Sequence, residues 1–127
     1  GNLWNNLKIL NFSMFVGSEV KLLEGLKIGC VGVISATTNV TNSLARQVYD
    51  DFINNKKQTV NERLCLVRKA FEETENLISA LHSYMSIKNE KYKYLLPPLN
   101  LLNKEKHEKL LLQLKELKFL HKKNITT

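Results

Sequence analysis

The chain has 127 residues, 43% of them hydrophobic and 24% charged. That balance excludes a disordered or fibrous protein and fits one globular domain or a piece of one. No apolar run reaches 18 residues and no charged start leads into an apolar stretch, so neither a membrane span nor a signal peptide is expected.

The net charge is +7, with ten Lys against four Glu from residue 88 onward. These charges alternate along a helical stretch, as in Lys104-Glu105-Lys106-His107-Glu108-Lys109, and the chain has only three Arg. A solvated helix face therefore accounts for them better than a nucleic-acid contact. The two cysteines, Cys30 and Cys65, are too few for a disulfide framework and read as buried thiols of a reducing, cytoplasmic compartment.

In chain order, Asn2 to Asn11 carries Leu3, Leu7 and Leu10 at helical spacing and predicts a short helix. Phe12 to Val16 is a continuous apolar run closed by Gly17, the pattern of a buried strand. Ser18 is placed to cap a helix running to Ile28, with Glu19 favourable in its first turn and Gly29 suited to end it. Cys30 to Ala36 is a second apolar run of strand length, followed by Thr37-Thr38-Asn39 with turn and cap chemistry. Two apolar strands joined by a helix predict parallel pairing and a sheet that needs further strands.

From Asn42 onward no strand is expected. Asn42 to Asn54 is amphipathic, with Leu44, Val48 and Phe52 on one face. Thr59 to Glu73 predicts a helix opened by a Thr59–Glu62 capping box, and Leu77 to Ile87 another. Pro97-Pro98 breaks the stretch from Lys88 to Asn100. Asn103 caps a last helix through Phe119, with Leu110, Leu114 and Leu117 as its stripe.

Two places carry possible chemistry. Gly17-Ser18-Glu19 follows a strand and opens a helix, where backbone and free N–H groups can approach a ligand, although an ordinary strand-to-helix turn uses the same residues. Ser35, Thr37, Thr38 and Asn39 lie at a strand's C-terminal end, where barrel enzymes keep their chemistry, and are equally good turn residues. No Gly-rich nucleotide motif occurs. His82, His107 and His121 are too scattered for a metal pair, so no metal and no cofactor are expected. Glu72, Glu73 and Glu75 read as a solvated acidic face, and Tyr84, Tyr92 and Tyr94 as packing residues.

The stretch from Phe12 to Glu19, then Leu22-Leu23 and Leu26, then Gly29 to Val40 with its Gly32-Val33-Ile34-Ser35-Ala36-Thr37-Thr38-Asn39-Val40 core, resembles the seventh strand, seventh helix and eighth strand of the dihydrodipicolinate synthase / N-acetylneuraminate lyase family. The Pro97-Pro98-Leu99 segment before a final helix resembles that family's C-terminal appendix. The resemblance implies an α/β fold, the last two strands of a (β/α)8 barrel in residues 1–54 and a helical appendix in 55–127. It implies a parent lyase whose lysine, at the end of the sixth strand, forms a Schiff base with pyruvate or a similar 2-oxo acid. That lysine is expected before Gly1, so this chain is expected to be a fragment without its nucleophile, while the full-length parent is expected to be a homo-oligomer.

Three roles follow from the same resemblance. Gly17 matches a position whose backbone lines the substrate pocket, Ile34 an apolar residue beside the Schiff-base lysine, and Glu19 a loop position that substrate polar groups reach. The synthases more often carry an acidic residue directly after the glycine, where this chain has Ser18, which points to a general family member. The competing reading is a stand-alone helical interaction module derived from such a barrel, without catalysis. Cooperative folding of the isolated chain would distinguish it.

Overall fold

The structure, a computed structural model, describes residues 12–119; the helix expected over Asn2 to Asn11 lies outside them. Contacts divide the chain into two compact units, Gly1–Cys65 and Leu66–Thr127.

In the first unit, strand β1 (Phe15–Val16) pairs in parallel with β2 (Gly32–Val33), Phe15 against Gly32 and Val16 against Val33. Backbone bonds from Val31 N–H to the Met14 carbonyl (2.8 Å) and from Ile34 N–H to the Val16 carbonyl (3.0 Å) carry the pairing one step further at each end. Both strands are shorter than the apolar runs that predict them. With a partner on one side only, the regular ladder stops where Gly17 and Ser35 turn the chain away.

The crossover begins as a 3-10 turn (Glu19–Lys21) and continues as helix α1 (Leu22–Lys27). Ser18 caps it as expected, its hydroxyl accepting from Val20 N–H at 3.3 Å. Gly29 ends it with φ 104°, and the Cys30 and Gly29 N–H groups close back onto the carbonyls of Gly25 (2.8 Å) and Leu26 (3.2 Å). This is the paired bonding of a Schellman end, which requires a left-handed residue and so favours glycine.

Helix α2 (Thr38–Ile53) starts four residues before the amphipathic stretch that announced it, because the polar Thr38 to Thr41 segment offers no apolar stripe. Its C-terminus repeats the Schellman bonding with Asn55 at φ 56°. Val16, Leu22, Leu26, Cys30, Ala45, Val48 and Leu64 form the core of this unit, with Leu44 and Phe52 packed against it. Gly25 lets α1 sit tightly on β1: a Cβ there would lie 2.4 Å from Val16 Cγ1.

Helix α3 (Asn61–Glu72) begins one residue later than a capping box at Thr59 requires. The Val60 carbonyl accepts the first helical bond, from Leu64 N–H at 2.9 Å, so Thr59 falls outside the cap position. In the second unit, α4 (Leu77–Met85) is capped by Asn76, whose side chain accepts from Ile78 and Ser79 N–H. Helix α5 (Lys104–Glu116) is capped by Asn103, which accepts from Lys106 N–H at 2.8 Å.

Phe71, Tyr84, Leu110 and Leu114 are buried in this second unit. The Tyr84 ring meets Phe71 edge-on at 5.7 Å and Phe119 at 5.8 Å. Between α4 and α5, Leu102 N–H donates to Ser83 Oγ at 2.9 Å, which gives a buried hydroxyl a partner. The tyrosines divide: Tyr84 packs as expected, whereas Tyr94 is 82% exposed and is no packing residue. Glu72 and Glu75 are exposed and ion-paired to Arg68 and Lys106. No helix among the described residues is long and apolar enough to cross a membrane.

Candidate functional site

Side chains alternate across a strand, and the register sets Phe15 beside Gly32 with Val16 beside Val33. Val16 is buried and Val33 packs against the same core. Phe15 and Gly32 therefore share the opposite face, and continuing the alternation brings Gly17 and Ile34 onto it at the strands' C-terminal ends. This face is open: Phe15 is 49% and Ile34 67% exposed. A Cβ at Gly32 would lie 3.3 Å from the Phe15 ring, while one at Gly17 would meet nothing within 4 Å. Gly17 and Ile34 are neighbours, since Ile34 N–H donates to the carbonyl of Val16, the residue before Gly17.

Glu19 is placed differently. It stands in the first turn of the crossover, 0% exposed, with its carboxylate turned to the hydroxyls that follow β2. Oε1 accepts from Ser35 Oγ at 2.5 Å, and Oε2 accepts from Thr37 and, at 2.9 Å, from Thr41. Burial alone pushes a carboxyl up. Here the bonds from Ser35 and Thr37, the residue's own backbone N–H and the Thr41 hydroxyl outweigh it and hold Glu19 below the ordinary value.

Thr37 occupies the cap position of α2 without a side-chain cap bond, because its hydroxyl serves Glu19. Thr38 takes up the turn instead, its hydroxyl donating to the Ser35 carbonyl at 2.6 Å. Thr41 was not legible as a site residue. The signal available was its spacing, four residues after Thr37 and so on the same helix face.

A groove of about 340 Å³ lies along β2, lined by Val31 to Val33 and by Thr38, Asn42 and Tyr49 of α2. Arg46 lies over the Tyr49 ring at 5.1 Å beside it. Among the described residues no three His, Cys, Asp or Glu side chains come together as metal ligands.

Two parallel strands joined by a helix, with Gly17 and Ile34 together at their C-terminal ends and the buried Glu19 carboxylate behind them, form part of an α/β protein. A model of the dihydrodipicolinate synthetase family matches residues 3–117. The match covers most of the chain, and the chain belongs to that family. No curated protein and no solved structure matches it.

Proposed function

We propose that this chain is the C-terminal part of a pyruvate-dependent, Schiff-base-forming aldolase or lyase, comprising the last two strands of a (β/α)8 barrel and a helical appendix. The observation that carries the reading is the face shared by Gly17 and Ile34 at the ends of adjacent parallel strands, within a chain of this family. On this reading Gly17 offers backbone to the 2-oxo acid and Ile34 stands beside the reactive lysine. Glu19 serves the same end of the barrel through the hydroxyls it holds. The open face and the groove along β2 are where the remaining strands would pack.

The chemistry of such an enzyme is a lysine amine condensing with the 2-oxo carbon and releasing water. The imine then accepts the electron pair left when a C3 proton or a C3–carbon bond is lost. The lysine belongs at the end of a strand, and neither strand among the described residues ends in one. Lys21 and Lys27 lie in the crossover helix instead, while Lys8 is outside the described residues.

The test is reductive trapping with pyruvate and borohydride, read by intact mass. The protein as its gene encodes it is expected to form the adduct, and residues 1–127 alone are expected to form none. An encoded protein that never traps pyruvate ends the aldolase reading in favour of a non-catalytic interaction module. An adduct on residues 1–127 would refute the absence of the lysine.

A further inference from the structure

We propose that Glu19 is a positioning residue for the open face: its carboxylate ties the turn after β2 to the turn after β1 and so sets where Ile34 stands relative to Gly17. The reaction served rests on the aldolase reading above, whereas the clamp rests on geometry alone.

A buried carboxylate persists only where hydrogen bonds replace its water. Those bonds come here from residues next to the site. Ser35 directly follows Ile34, Thr37 closes the same turn, and Thr41 lies one turn into α2. Glu19 itself is two residues past Gly17. The one direct bond between the strand ends, Ile34 N–H to the Val16 carbonyl at 3.0 Å, is thus backed by a second connection on the far side of the turn.

Proton counting shows why a carboxylate is needed. Each hydroxyl has a single proton. Ser35 and Thr37 both donate to Glu19, so no proton remains for the 3.0 Å contact between their own oxygens. The carboxylate accepts from both, and Thr41's one proton lies between Glu19 and the Thr37 carbonyl, at 2.9 and 3.1 Å. Glutamine at position 19 would offer one acceptor oxygen and an NH2 group, so at least one hydroxyl must turn from donor to acceptor, and neutral bonds replace charge-assisted ones, loosening the turn. Aspartate keeps the charge and is shorter by one methylene.

The test follows deuterium exchange at the pyruvate methyl by proton NMR in the protein as its gene encodes it, which reads imine and enamine turnover without the aldehyde. Glu19→Gln is expected to lower kcat about tenfold or more, as misplacement of a group near the reacting atoms does. KM is expected to stay within about threefold, with part of kcat regained in Glu19→Asp. A folded Glu19→Gln protein with unchanged kcat overturns the proposal. If that variant does not fold, Ser35→Ala decides: a smaller loss of kcat in the same direction upholds the clamp and no loss overturns it. If the wild type exchanges no pyruvate proton, the aldolase reading fails separately. The clamp is then read by amide hydrogen exchange in Ser35→Ala. Faster exchange from Ile34 to Thr38, with α4 and α5 unchanged, upholds it, and no change there overturns it.

Discussion

Glu19 shows how one residue can reverse what burial dictates. Removing a carboxyl from water favours its neutral form, yet the hydroxyls of Ser35, Thr37 and Thr41 keep it ionised below the ordinary carboxyl value of 4.5. A carboxyl that binds its proton less readily in the folded chain than in the unfolded one stabilises the fold above that ordinary value. The contribution is lost as pH falls through the lowered one. Urea unfolding of wild type and Glu19→Gln should therefore differ by about 1.5–3 kcal/mol near neutral pH, the range for hydrogen bonds to charged groups. The difference should shrink toward zero as the solution is made strongly acid. A constant difference across that range would mean that Glu19 stabilises by packing and not by charge. The sequence showed Glu19 as a favourable first-turn acid and Thr37-Thr38-Asn39 as turn and cap residues, but Thr37 makes no side-chain cap bond because its hydroxyl goes to Glu19. It could not show that the two meet, since a contact between residues 18 apart depends on the register of β1 against β2.

At the level of elements, the caps were the most legible feature. Ser18, Gly29 and Asn103 stand where their chemistry placed them, because capping is decided within a few residues of chain. Strand lengths and the start of α2 were less legible, because they depend on partners. The same local logic exposes a weak end. Helix α5 finishes in Schellman bonding, with Phe119 N–H on the Leu114 carbonyl and Lys118 N–H on that of Lys115, both at 3.0 Å. The left-handed position is held by Lys118, at φ 57°. A residue with a Cβ loses roughly 1–2 kcal/mol in that conformation. Lys118→Gly should accordingly raise unfolding stability by about 1 kcal/mol, readable as a higher urea midpoint at unchanged slope. A lowered midpoint would show that the Lys118 side chain contributes more than its backbone strain removes.

For the chain as a whole, the resemblance carried the family, and pattern alone carried the apolar strands, their parallel pairing and the helical second half. Both also predict an unfinished sheet, one that needs further strands. Among the described residues it has two strands, with Phe15 and Ile34 exposed on one face. Clustered apolar surface of this kind seeks cover. Residues 1–127 in isolation should bind an environment-sensitive hydrophobic dye and self-associate with rising concentration. Adding charge by Ile34→Lys should reduce both. Dye binding equal to that of a well-folded control protein would show that the face is covered from within the chain.

The empty space beside Gly17 turns that position into an instrument. Its φ is not left-handed and an added methyl would touch nothing, so the fold itself has no reason to reject alanine there. Gly25, with Val16 pressed against it, has every reason. Graded bulk at position 17, through alanine, valine and leucine, should leave melting behaviour flat while progressively excluding pyruvate from the encoded protein. The size at which exclusion sets in would measure the clearance above the strand ends, a molecular feeler gauge made from side chains.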